Sequence, residues 1–104
     1  MLYITTSWDD GHNLDFKTSE LLKKYNLKGT FYVSKNHPHK NSNLSDSEIF
    51  ALSKEQEIGG HTVNHPLLTR VAPNEAKREI EEGKKWLENI IGDKDKVKMF
   101  CYPY

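Results

Sequence analysis

The chain has 104 residues, the length of one domain. It carries 15 basic and 15 acidic residues, so its formal net charge is zero and it lacks the basic excess of a nucleic-acid or anionic-membrane binder. No apolar run approaches the ~20 residues of a membrane span, and the single cysteine, Cys101, has no internal disulfide partner.

Leu2–Ser7 predicts a first strand, with Tyr and Ile supported by threonines. Asn13 or Asp15 is placed to cap a helix running to about Tyr25, with Leu14, Thr18, Leu21, Leu22 and Tyr25 along one face. Gly29–Ser34 reads as a second strand and the polar stretch Ser34–Ser47 as a loop. Ser45-Asp46-Ser47-Glu48 fits a capping box and opens a short helix carrying Ile49 and Leu52. Glu57-Ile58-Gly59 reads as a third strand. Pro73 suits the first position of a long helix, whose inward face would carry Ala76, Ile80, Gly83, Leu87 and Ile90 and which Gly92 ends. Gly83 costs that helix about 1 kcal/mol relative to Ala, which suggests close packing there. Val97–Tyr102 reads as a fourth strand.

The order β-α-β-α-β-α-β implies an α/β fold with a parallel sheet. In such sheets ligands bind beyond the carboxyl ends of the strands, where the loops converge. All five histidines and the one Asp-Asp pair follow strand ends in this reading: Asp9, Asp10 and His12, then His37 and His39, then His61 and His65. Tyr102, Pro103 and Tyr104 close the fourth strand.

Asp9-Asp10-Gly11 reads first as a turn, because Asp-Gly is a common turn dipeptide. Two adjacent carboxylates can also divide their work, one on a metal and one toward substrate. His61 and His65 are four residues apart, a spacing that puts both imidazoles on one side of a helical turn, within reach of one metal. Two histidines and an aspartate make a three-ligand site with an open position, as in catalytic zinc centres. The same set matches the facial triad of non-haem iron oxygenases. Cys101 reads as a small core hydrophobe, Trp86 as packing, His37 and His39 as solvated loop residues, and His12 as structural. The Lys/Glu runs of Lys77–Lys85 read as a solvated helix face.

These residues resemble a known family. Thr6-Ser7-Trp8-Asp9-Asp10-Gly11 resembles the T-F-D-D-G motif of polysaccharide deacetylases, the NodB-homology domain of carbohydrate esterase family 4. His61-Thr62-Val63-Asn64-His65-Pro66 resembles the family's H-[S/T]-x-x-H-P motif, and Phe100-Cys101-Tyr102-Pro103-Tyr104 its third motif. Gly29-Thr30-Phe31-Tyr32-Val33 looks like its second strand. The three motifs stand in the family's order along the whole chain.

The resemblance implies the first half of a deformed (β/α)7 barrel and removal of N-acetyl groups from a carbohydrate. It implies that Asp10, His61 and His65 hold a divalent metal, usually zinc. Asp9 would be the base as a metal-activated water attacks the amide carbonyl, and the backbone N–H of Tyr104 would help hold the oxyanion. Tyr102 and Pro103 would border the substrate.

The sequence departs from the family at Trp8, where Phe is usual, and at Met99-Phe100-Cys101, where an Arg often orients the base. The chain also stops before the family's later motifs, which supply a hydrophobic pocket and a general-acid histidine. It is therefore expected to be a truncated domain, either a fragment or a half that self-associates through open sheet edges. The expected partner is an N-acetylated glycan. The alternative is a non-catalytic metal- or glycan-binding remnant. The first residues, Met1–Thr6, lack a secretory leader, which suggests the cytoplasm, with action at the cell envelope as the family's other setting.

Overall fold

The computed structural model describes residues 1–38 and 40–104. Three short strands, β1 (Ser7–Trp8), β2 (Thr30–Val33) and β3 (Glu57–Gly60), form a parallel sheet in that order. Helices α1 (Leu14–Lys24), α2 (Asp46–Glu55) and α3 (Pro73–Ile91) alternate with them. The expected α/β architecture is present. The predicted fourth strand is reduced to one parallel bridge, Gly60 to Phe100. It rests on two hydrogen bonds, Gly60 N–H to the Met99 carbonyl at 2.8 Å and Cys101 N–H to the Gly60 carbonyl at 3.0 Å.

The first strand is also shorter than its pattern suggests. Met1–Ile4 are at least 80% exposed, because nothing among the described residues covers the apolar side chains of this segment. Only Ser7 and Trp8 pair with β2, and Trp8 stacks on Phe31 with ring centroids 5.1 Å apart.

The core lies between the sheet and the helices. Phe31 and Val33 from β2, Ile58 from β3, Ile49 and Leu52 from α2, and Leu87 and Ile91 from α3 are all buried. Trp86 packs half-buried against this cluster, as expected. The capping box of α2 is formed: Glu48 N–H donates to Ser45 Oγ and Ser45 N–H donates to Glu48 Oε2. Pro73 begins α3 and Gly92 ends it in the left-handed region at φ 79°.

The buried face of α1 differs from the apolar stripe in its sequence. Asp15, Ser19 and Leu22 face inward, while Leu14, Leu21 and Tyr25 are more than half exposed. Asn13 occupies the N-cap position without a side-chain bond, and His12 Nδ1 accepts the Leu14 N–H at 3.1 Å instead. His12 is thus structural.

Candidate metal centre and cleft

The carboxyl ends of the strands carry the polar cluster. Asp9 and Asp10 directly follow β1, and His61 directly follows β3. The Asp10 carboxylate oxygen Oδ1 lies 3.2 Å from His61 Nε2 and 3.1 Å from His65 Nε2. The two imidazole nitrogens are 3.1 Å apart. One donor atom from each of Asp10, His61 and His65 lies within 4.8 Å of the others.

This donor set fits a borderline divalent cation such as zinc, for which two imidazoles and a carboxylate are ordinary ligands. The surroundings prepare it. His61 Nδ1 donates to the Cys101 carbonyl at 2.8 Å, which leaves the lone pair of Nε2 directed at the cluster. Burial and the neighbouring His61 hold the pKa of the His65 imidazole below its usual value, which favours the neutral form that a metal ligand needs.

The turn that carries both histidines is tightly determined. Thr62 and His65 have left-handed backbone, at φ 70° and 57°, as do Asp10 at 83° and Tyr104 at 65°. Such conformations cost non-glycine residues on the order of 1–2 kcal/mol each. The offsetting contacts come from α3. Buried Glu79 accepts hydrogen bonds from Val63 N–H at 2.9 Å, Asn64 N–H at 2.8 Å and the Asn64 side-chain amide at 2.6 Å. Thr62 Oγ1 accepts the His65 N–H at 3.0 Å. Gly83 lets α3 approach: a Cβ there would stand 3.0 Å from the Thr62 carbonyl carbon.

Around the triad is an open cleft of about 580 Å³, lined by Asp9, His37, Cys101, Tyr102 and Tyr104 among others. Asp9 is exposed on its rim. The Tyr104 ring meets His65 edge-on, with centroids 4.9 Å apart. Tyr102 is exposed and packs edge-on against Phe100. Pro103 is buried beneath this segment.

Two sequence expectations change here. Cys101 is not a core residue: its thiol donates to Asp9 Oδ2 at 3.7 Å. Burial and the carboxylate of Asp9 push this thiol's pKa up, which keeps the proton on sulfur. His37 is not a solvated loop residue either. Its Nε2 lies 3.5 Å from Asp10 Oδ1, and its ring meets His65 edge-on at 4.4 Å. His39 lies outside the described residues. Glu79 went unnoticed in the sequence because a glutamate within a Lys/Glu-rich helix looks solvated. Its one signal was its place between Ala76 and Gly83 on the inward side of α3.

A parallel sheet with its polar cleft at the carboxyl ends of the strands is the layout of α/β-barrel enzymes. The chain belongs to the polysaccharide deacetylase family, whose model matches residues 2–104. It is 29% identical over 92 residues to a peptidoglycan-N-acetylglucosamine deacetylase of Bacillus cereus, covering 86% of this chain and 32% of that one. It is 33% identical over 92 residues to the peptidoglycan-N-acetylmuramic acid deacetylase PdaC of Bacillus subtilis, covering 86% of this chain and 19% of that one. Its fold matches the Streptococcus pyogenes deacetylase PplD, solved in complex with acetate, with a TM-score of 0.84 at 23% identity over 95% of this chain and 45% of that one. The chain therefore spans about a third or less of these curated relatives and under half of the solved neighbour. No helix among the described residues is long and apolar enough to cross a membrane.

Proposed function

We propose that the chain carries the metal-binding half of a hydrolase that removes acetyl groups from the N-acetylated sugars of a glycan, with cell-wall amino sugars the favoured class. The observation that carries this reading is the convergence of Asp10, His61 and His65 on a cleft bordered by Asp9 and Tyr104. The names of the curated relatives support the substrate class, and their cell-wall substrates favour action at the cell envelope.

A divalent cation in this site, zinc by the donor set, supplies Lewis acidity toward the amide carbonyl and acidifies water. The chain's own groups do the rest. Asp9 accepts a proton from the attacking water. The backbone N–H of Tyr104 donates to the oxygen that becomes negative. Tyr102 offers an exposed ring to a sugar face, and buried Pro103 fixes the segment that presents both tyrosines.

The test is metal content by elemental analysis, followed by acetate release from N-acetylated oligosaccharides. The expected result is about one zinc per chain, lost in the H61A/H65A double variant. Asp9→Ala should abolish turnover and keep the metal. A chain that binds no zinc under any loading condition would overturn the metal reading.

A second reading, binding of metal or glycan without turnover, is favoured by Met99-Phe100-Cys101 standing where the family often has the Arg that orients its base. Acetate release by the wild-type chain would exclude it. We also propose that the domain is completed by further structure. The outer edge of β1 is unpaired among the described residues, and Leu14, Leu21 and Tyr25 of the α1 region stand exposed. A second copy is one means of covering them. Sedimentation showing a well-folded, strict monomer at high concentration would rule out self-association.

A further inference from the structure

We propose that His37 is a fourth protein ligand of this metal centre, so that the resting site holds three imidazoles and one carboxylate. This rests on the metal reading above and extends it to a residue outside the motifs.

The first support is spacing. Two donor atoms each about 2.1 Å from a tetrahedral ion stand about 3.4 Å apart. The distances within the triad, 3.1 to 3.2 Å, are close to this value. His37 Nε2 stands 3.5 Å from one member of the triad, Asp10 Oδ1, close to the same value. Three imidazole nitrogens thus converge on one carboxylate oxygen.

The second support is how the loop after β2 is held. Ser34 Oγ donates to the Val63 carbonyl at 3.2 Å, and Asn36 N–H donates to the same carbonyl at 2.7 Å. Asn36 Nδ2 donates to Asn64 Oδ1 at 2.8 Å. These bonds tie the loop to the turn between His61 and His65. On the other side, Asn43 Nδ2 donates to the His37 carbonyl at 3.1 Å. The backbone of His37 is therefore pinned on both flanks, and its side chain is only 10% exposed. A solvated loop histidine needs none of this.

Four protein donors still admit one exogenous ligand, because zinc expands to five-coordination. His37 then sets how tightly the resting ion is held, and it must leave the ion for a water and an acyl oxygen to bind together.

The test is zinc X-ray absorption and zinc affinity, measured by chelator competition on the full chain and on His37→Gln and His37→Ala. Three imidazoles in the wild type, two in each variant, and an affinity about tenfold or more weaker would support the assignment. Equal imidazole counts and affinities in wild type and variants would overturn it and leave the metal reading standing. No zinc in the wild type would overturn both. Should a variant fail to fold, the wild-type spectrum decides: two imidazoles overturn the assignment and three support it.

Discussion

The carboxylate of Glu79 holds Asn64 twice, by its backbone N–H and by its side-chain amide, at 2.8 and 2.6 Å. A residue of α3 thereby fixes the turn between two metal-ligand candidates while touching neither. Glu79→Ala would leave two backbone N–H groups and an amide without their acceptor, each worth about 1–3 kcal/mol when buried. The expected outcome is a loss of roughly 3 kcal/mol in urea unfolding together with weaker zinc binding. Glu79→Gln should fall between the two, because its amide nitrogen cannot accept. Wild-type zinc affinity in a folded E79A would show that the turn holds its shape unaided.

Gly83 poses a conflict between local and tertiary preference. In an exposed helix Gly→Ala stabilises by about 1 kcal/mol. Here the added Cβ would stand 3.0 Å from the Thr62 carbonyl carbon, with backbone rather than a flexible side chain in the way. Gly83→Ala should therefore destabilise by about 1–3 kcal/mol. A melting temperature above the wild type's would contradict the packing.

Cys101 reports on Asp9. Burial and the Asp9 carboxylate both hold the thiol's pKa above its usual value, so alkylation near neutral pH should be slow. Asp9→Asn removes the charge but not the burial. Iodoacetamide should then modify Cys101 several-fold faster at pH 8. An unchanged rate would mean that the two groups do not communicate.

Asp15, buried at the start of α1, has its pKa raised to about 6 by burial and then by the carboxylates of Asp10 and Asp9. A raised carboxylate pKa favours the folded state while the group is protonated. That contribution is complete below about 4 and is lost as pH rises through about 6. With metal chelated, stability should fall by about 1–2 kcal/mol across that window, water near Asp9 and Asp10 screening the rest. Asp15→Asn should flatten the slope and raise stability at pH 7. A variant that keeps the wild-type slope would assign it to another group.

The elements with local chemical signals were legible in the sequence. The Ser45–Glu48 capping box, Pro73, Gly92 and the strand around Phe31 and Val33 each carry their own cause in neighbouring residues. The metal-ligand candidates were legible too, because Asp10, His61 and His65 lie at strand ends that a parallel sheet must bring together. What failed were faces. On α1 the apolar stripe of Leu14 and Leu21 points outward, and the inward side carries Asp15 and Ser19 beside Leu22. On α3 the inward row includes Glu79, whose burial makes sense only once the left-handed turn it serves is known. Cys101 and His37 were misplaced for the same reason: their partners, Asp9 and Asp10, lie far away along the chain.

The centre draws on donors far apart in the chain: Asp10 and His61 are separated by 51 positions. An ion bound to both ties a long loop, much as a cross-link does, and withdraws conformations from the unfolded chain. For a chain with short strands and an exposed amino-terminal segment, such a staple counts heavily. At a hundredfold excess over its dissociation constant the ion adds about 2.7 kcal/mol to folding stability. The supply of metal to this chain would then govern how long it survives proteolysis, quite apart from any reaction it performs.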